Sequence, residues 1–149
     1  MIGGMKWIDI PPVWLLGFAV LAWLFRWVWT AGSPVLRMAG TALVVVGLVL
    51  MLVAVIQMLR HRTTPVPHQE ASHLVTDGIF ALSRNPIYLG DLLVLAGLAL
   101  RWESPLGLLL VPGLLVVLQG RFILAEEARL RRAFGEAFTA YAEQTRRWL

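Results

Sequence analysis

The chain has 149 residues, of which 58% are hydrophobic and 15% charged, with a mean hydropathy of +0.73 and a formal net charge of +4. Soluble domains carry about 45–50% apolar and about 25% charged residues, so this composition excludes an ordinary water-soluble enzyme and predicts an integral membrane protein. The chain has no cysteine, which removes disulfides, thiolate metal sites and cysteine nucleophiles.

At about 20 residues per crossing, the length allows about four spans in a single domain, residues 1–149. Pro11-Pro12 is expected to close an irregular N-terminus. The first span is expected over residues 13–29, where Trp14, Trp23, Trp27 and Trp29 suit interfaces and packing. Lys6 and Asp9 precede it and no small-residue cleavage pattern follows, which predicts a retained helix rather than a signal peptide. Ala31-Gly32-Ser33-Pro34 is a turn signal.

The second span is expected over residues 35–59, with Gly40 and Gly47 allowing close helix approach. Arg60-His61-Arg62 stops it. The polar connection 63–85, with Pro65 and Pro67 in it, is long for a structureless segment in a compact domain, and such segments are often functional. Pro86 suits the first turn of a helix. The third apolar segment, 86–100, is short: Tyr88 to Leu100 rises only about 20 Å. Arg101-Trp102-Glu103-Ser104-Pro105 is a tight turn, and residues 105–121 return as the other arm of a helical hairpin.

From residue 122 to 145 the pattern changes. Leu130, Ala133, Phe134, Ala137, Phe138 and Tyr141 fall on one helical face, and Arg129, Arg131, Arg132, Glu136 and Glu143 occupy the rest. This predicts an amphipathic C-terminal helix on the cytoplasmic side, continuing the fourth span or kinked from it. The expected fold is therefore all-α: an integral membrane protein of about four transmembrane helices, the last two as a hairpin, plus that helix.

With four spans, one side holds Lys6, Arg60, Arg62, Arg84, Arg121, Arg129, Arg131, Arg132, Arg146 and Arg147, and the other only Arg26, Arg37 and Arg101. The positive-inside bias makes the richer side cytoplasmic. This predicts a bacterial-type inner-membrane protein with both termini and the active site on the cytoplasmic face. The tail arginines alternate with Glu126, Glu127, Glu136 and Glu143 and abut a span. Anionic lipid headgroups are thus the expected partner, not nucleic acid.

Two constellations carry possible chemistry. One is Leu74-Val75-Thr76-Asp77-Gly78 followed by Arg84-Asn85-Pro86, Tyr88 and Gly90; the other is Glu126-Glu127, Leu130, Phe134-Gly135, Tyr141 and Arg147-Trp148. Irregular polar backbone at membrane depth is tolerated only when buried in protein or lining a cavity, so the loop is the expected site and the C-terminal tail its lid. Plainer roles compete. Arg84 reads as a charge anchor or a ligand group. Glu126 and Glu127 read as a solvated helix face or as ligands, although acids at the end of an apolar span are expensive unless used. Asp91 reads as a partner of the helix-start dipole or as a ligand. Arg121, five residues before Glu126, reads as a holder of an anionic acceptor or as a snorkelling side chain. Trp148 reads as an interface anchor. His61, His68 and His73 share no helical face, so no metal site is expected.

Taken in order, these pieces resemble the isoprenylcysteine carboxyl methyltransferase family, within the wider group of small membrane methyltransferases that includes the phospholipid N-methyltransferases. That pattern is LVT-x-G-x-Y, then R-H/N-P-x-Y-x-G, then E-E-x-x-L-x-x-x-F-G-x-x-Y-x-x-Y, then R-W. The resemblance covers residues 74–149; Phe80 and Phe138 stand where the family often has Tyr, and Asn85 where many members have His. It implies an S-adenosylmethionine-dependent methyltransferase acting on a lipophilic or membrane-embedded acceptor. A phospholipid or amine N-methyltransferase and a small-thiol S-methyltransferase remain alternatives. A non-catalytic scaffold subunit and a fragment of a nicotinamide-using sterol reductase are the readings from other classes.

The resemblance places cofactor binding at His73, Leu74, Val75, Gly78, Phe80, Arg84, Asn85, Pro86, Ile87, Tyr88, Glu126 and Glu127, with Arg121 and Tyr88 as the catalytic positions. The residue types suit the ligand. A sulfonium favours aromatic faces such as Phe80 or Tyr88. Glu126 suits an amino group or ribose hydroxyls. A carboxylate suits an Arg or the free N–H groups of the helix start at Pro86 to Gly90. Leu74 and Val75 suit an adenine, while Gly78 and Gly90 let backbone approach a ligand. Methyl transfer needs mainly alignment; a carboxylate or thiolate acceptor needs no base, an amine does.

Overall fold

The computed structural model describes residues 8–30 and 32–149; Lys6 and Ala31, used above for topology and for a turn, lie outside them. The described residues are helical, with no strand among them. Proline opens each of the first four helices, where its fixed φ is already helical and its missing N–H is not needed. Helix α1 is Pro11–Phe25, α2 is Pro34–Arg60, α3 is Pro86–Arg101 and α4 is Pro105–Phe134. Pro11-Pro12 starts the first helix; most of the N-terminal segment before it, residues 1–7, lies outside the described residues. That helix stops at Phe25, short of Trp29, and Arg26 folds back over the rings of Trp23 and Trp27, 4.4 and 5.0 Å from their centroids.

Helices α2 and α4 are long and apolar enough to cross a membrane; α1 and α3 are shorter. On α2, Val45, Val46, Leu48, Val49, Leu52 and Val53 remain exposed. So broad an uncovered apolar face needs an apolar solvent, and the chain is a membrane protein.

The closest helix pair is α2 with α3, running antiparallel. Glycines seven residues apart on each helix make it close: a Cβ on Gly97 would stand 2.7 Å from the Gly40 carbonyl oxygen, and one on Gly47 would stand 2.8 Å from that of Gly90. Contacts this short admit only a hydrogen on Cα. Helix α4 follows α3 through a tight turn at Trp102–Glu103–Ser104, and Ser104 Oγ caps it by accepting from Gly107 N–H at 3.3 Å. The two arms are therefore adjacent, but α3 lies deeper against α2. Ala19 and Ala22 of α1, Leu92 and Leu95 of α3, and Leu114, Leu118, Phe122 and Ile123 of α4 form the central core.

Two irregularities mark α4. The helix is interrupted at Leu109, where Pro112 can offer no N–H to the Leu108 carbonyl. Further on, Gln119–Ile123 is a single π-helical turn. Of the two expectations for residues 122–145, a helix continuing the fourth span or one kinked from it, the first describes the chain as far as Phe134. The break falls at Gly135, whose φ of 52° strains any L side chain, and α5 (Glu136–Gln144) follows. A second apolar cluster of Ala54, Val75, Phe80, Phe138 and Tyr141 fastens the 61–85 connection and α5 to the end of α2. The starts of α1 and α3 and the ends of α2 and α4 meet at this end of the bundle, which is where the cavities lie.

Candidate active site

The connection between α2 and α3 has one short 3-10 turn, Gly78–Ala81, and is held from both sides. From α2, Gln57 Nε2 donates to the Asp77 carbonyl (2.6 Å) and carboxylate (3.1 Å), and Gln57 Oε1 accepts from Ile79 N–H (3.2 Å). Gly78, with φ 56°, lies on this amide: a Cβ there would stand 2.5 Å from Gln57 Nε2. The Gln57 anchor and the positive φ are by themselves enough to require glycine here. Gly90 likewise faces Met51 and the Gly47 carbonyl, not a cavity.

From the other side the tail lies along residues 80–85. Tyr141 OH donates to the Phe80 carbonyl at 2.6 Å, and burial pushes the Tyr141 phenol up to about 12, which keeps it a donor. Arg84 N–H donates to the Arg146 carbonyl (3.0 Å), and Asn85 Nδ2 donates to the Arg147 carbonyl (3.0 Å). The Arg147 guanidinium donates twice to Glu127, at 2.9 and 2.8 Å, and Arg84 Nη1 reaches the same carboxylate at 3.3 Å. These hydrogen bonds to Glu127 hold Arg147 above its usual range. Glu127 is the knot of this clamp.

Two adjoining cavities of about 320 Å³ each lie behind the clamp and share Met58, Val66, Pro67, Phe80, Arg84 and Glu126 as walls. Both fall in the small-molecule range. The first is enclosed by the loop and α4, with Leu74, Val75, Leu130, Arg129 and Tyr141 on its other walls. Arg84 Nε and Arg129 Nε are buried without a hydrogen-bond partner among the described residues, and both guanidinium side chains border this cavity. The second cavity lies between Pro11 and Pro12 of α1, Met51 and Val55 of α2, and Pro86, Ile87, Tyr88 and Asp91 at the start of α3. At the boundary, Tyr88 OH donates to Glu126 Oε2 at 3.0 Å, leaving Oε1 for another donor.

The structure thus brings Leu74, Val75, Phe80, Arg84 and Glu126 to the first cavity, and Phe80, Arg84, Asn85, Pro86, Ile87, Tyr88 and Glu126 to the second. His73, Gly78, Glu127 and Arg121 line neither. His73 is exposed, Gly78 serves the Gln57 anchor and Glu127 the clamp. Arg121 makes two hydrogen bonds to Asp9, at 3.0 and 2.8 Å, with its guanidinium 5.2 Å from the Trp14 ring centroid. Trp14 Nε1 also donates to Asp9 (2.9 Å). The Arg121 hydrogen bond first, and that of Trp14 second, hold the Asp9 carboxyl below the usual carboxylate range. The sequence reading missed Arg129, Met58 and His68 as cavity residues. Arg129 was within reach of it, since three residues after Glu126 lies the same face of a helix.

Residues 35–137 match the phospholipid methyltransferase family, and since they make up more than half of the chain, the chain belongs to that family. This agrees with the resemblance read from the motifs. Among solved structures, the fold matches that of a eukaryotic intramembrane Ras methyltransferase, isoprenylcysteine carboxyl methyltransferase, with a TM-score of 0.72 at 24% identity. The match covers 87% of this chain and 50% of that one, so the chain spans about half the length of the enzyme, and the likeness is one of fold. No curated protein sequence matches the chain.

Proposed function

We propose that this chain is an S-adenosylmethionine-dependent methyltransferase whose acceptor is lipophilic and enters from the bilayer. The observation that carries this reading is the pair of cavities sharing Phe80, Arg84 and Glu126. The first cavity has the donor set for the cofactor: Glu126 for its amino group or ribose hydroxyls, Arg84 and Arg129 for its carboxylate, Leu74, Val75 and Leu130 against its adenine. When bound, the cofactor supplies an electrophilic methyl on a cationic sulfur. Phe80, in the shared wall, offers an aromatic face to that cation. Tyr88 fixes Glu126, and the Arg84–Glu127–Arg147 clamp closes the loop and excludes water. What the chain contributes is alignment of two bound molecules across one wall.

Helices α1 and α3, with 15 and 16 residues, rise about 22 and 24 Å, less than a hydrocarbon core of about 30 Å. Their starts border the second cavity, so that cavity lies at headgroup depth or below, open to a lipid tail. In this reading α1 to α4 are the four spans of a single domain over 1–149. The basic end, with the site, the tail and the N-terminus, is cytoplasmic by the positive-inside bias.

The test is calorimetry of detergent-purified protein with S-adenosylmethionine and its demethylated product. Saturable binding is expected, with an affinity lowered about tenfold or more in Glu126→Ala, the scale of a charge-assisted hydrogen bond. Absence of binding by folded, monodisperse protein would overturn the proposal.

A further inference from the structure

Residues 63–72 leave and return at one point. Ser72 N–H donates to Thr63 Oγ1 at 3.2 Å, and Thr63, itself buried, is tied back to α2 by its N–H on the Met58 carbonyl (3.1 Å). A surface loop of this length with its ends together is an Ω-loop, a form that is frequently functional. Inside it, Thr64 Oγ1 donates to Gln69 Oε1 (3.2 Å) and accepts from Val66 N–H (3.1 Å), while Pro65 and Pro67 fix two φ angles. The loop is a small stiff body on a narrow base.

The two halves of the connection between α2 and α3 are held differently. Leu74, Val75 and Phe80 pack into the second apolar cluster, and their stretch is bonded to Gln57 and to Tyr141. Residues 64–71 belong to neither apolar cluster, and Val66, His68, Gln69 and Glu70 are exposed. Yet this stretch walls both cavities: Val66 and Pro67 border each of them, and His68 to Ala71 border the first.

The tip of the loop is His68, whose φ of 67° is left-handed. A residue other than glycine persists there only when its surroundings hold it, and here no helix end explains it. Two contacts do. The His68 ring lies 5.8 Å from the Phe122 ring centroid, and Nε2 lies 3.2 Å from the Asp9 carbonyl oxygen. A carbonyl only accepts, so Nε2 carries the proton. Among the described residues this is the single polar bond from 64–71 to another element. Its post is firm, because Arg121 and Trp14 grip the Asp9 carboxylate.

We infer that residues 64–71 are a hinged flap over the two cavities, pivoting on the Thr63–Ser72 base and latched where His68 meets Asp9. Closed, the flap completes the cavity wall and keeps water out. Unlatched, it opens the cavities to the aqueous side while the Arg84–Glu127–Arg147 clamp stays in place. The inference rests on the methyltransferase reading only for what passes: the polar cofactor enters, and its demethylated product leaves, by way of the flap. The latch therefore sets the rate of exchange more than the affinity.

The chain has no cysteine, so one introduced thiol reports on access. Met58 borders both cavities. Met58→Cys in phosphatidylcholine nanodiscs is labelled with a charged methanethiosulfonate, which cannot reach it through the bilayer, with no cofactor present. Adding His68→Ala is expected to speed labelling about threefold to tenfold, the scale of one hydrogen bond. His68→Gln, which keeps an N–H donor, is expected to fall between. Labelling unchanged by His68→Ala, or sped as much by Arg147→Ala, would overturn the flap, the latter by making the tail the door. Should Met58→Cys fail to fold, Val55→Cys on the wall of the second cavity takes its place. In stopped-flow binding of S-adenosylmethionine, His68→Ala is expected to raise association and dissociation rates together, about threefold or more, with Kd changed less than about twofold. A rise in dissociation alone would make His68 a ligand contact and overturn its role as a latch. The two readings fail separately. Labelling that follows the latch without cofactor binding sinks only the methyltransferase; cofactor binding with labelling indifferent to His68 sinks only the flap.

Discussion

Arg121 and Asp9 show how one side-chain pair can redirect a reading. In the sequence, an arginine near an acidic pair at the end of a span suggests an anion site; in the structure its fork grips Asp9 through two parallel hydrogen bonds, the strong bidentate arrangement. A carboxyl held below its unfolded value, about 3.9 for Asp, contributes stability that is present in full above that value and is lost as pH falls through the folded one. Asp9→Asn is therefore expected to lower the thermal midpoint relative to the unaltered chain at pH 7, and the gap is expected to close as the pH falls below the ordinary aspartate range and the carboxyl protonates. A gap of equal size at both pH values would show that the carboxylate is not its source. The motifs named the residues of the site region better than their orientations. Glu126 and Leu74 line a cavity, but their neighbours Glu127 and His73 do not, because adjacent positions on a helix or an irregular loop face different ways.

At the scale of elements, Pro86 is legible in the sequence as a helix start, since a fixed φ acts locally, whereas Pro34 and Pro105 read there as turn residues and open helices in the structure. Helix ends were harder to see. Phe25 and Phe134 carry no terminating chemistry of their own, and α4 passes smoothly through the position where charge first appears. Gly40 and Gly47 were legible as a close-approach face of α2. Their partners Gly90 and Gly97 have the same spacing, but nothing in the sequence says which helix meets which. Gly97→Ala would press a methyl against the backbone of Gly40 and Val44 at 2.7 Å, a clash with no flexible side chain to yield. We expect a loss of about 1–3 kcal/mol, as for an overpacked core. Gly17→Ala, with nothing within 4 Å of its Cβ, should be neutral or stabilising by up to about 1 kcal/mol. Thermal or chemical unfolding of both variants in one detergent checks the contrast; equal losses would mean that the α2–α3 contact is looser than described.

At the scale of the whole molecule, the described N-terminal residues and the tail are both fastened near the cavities, Asp9 to Arg121 and Arg147 to Glu127, while Arg37–Glu103 and Arg101–Thr41 tie the far end. The tail is fastened by polar bonds and so is the natural place for local opening. Arg147→Ala is expected to speed amide exchange across residues 79–85 and to weaken cofactor binding about threefold to tenfold, or about 0.7–1.4 kcal/mol. Exchange near Arg37 and Arg101 should not change. Faster exchange throughout the chain would mean instead that Arg147 supports the bundle as a whole.

The single wide turn at Gln119–Ile123 sets the phase of the last third of α4. An α-helix advances about 100° per residue, and a turn closed by i→i+5 bonds absorbs one extra residue. Everything past Ile123 is therefore rotated by about that angle relative to an uninterrupted helix. Leu114 and Leu118 point at the other helices before the turn, and Phe122 within it; Glu126, Arg129 and Leu130 point at the ligand space after it. The number of residues in this turn, more than their identity, aims the acidic and basic groups inward, and the side-chain-free, exposed Gly120 is a place where spelling is free and length is not.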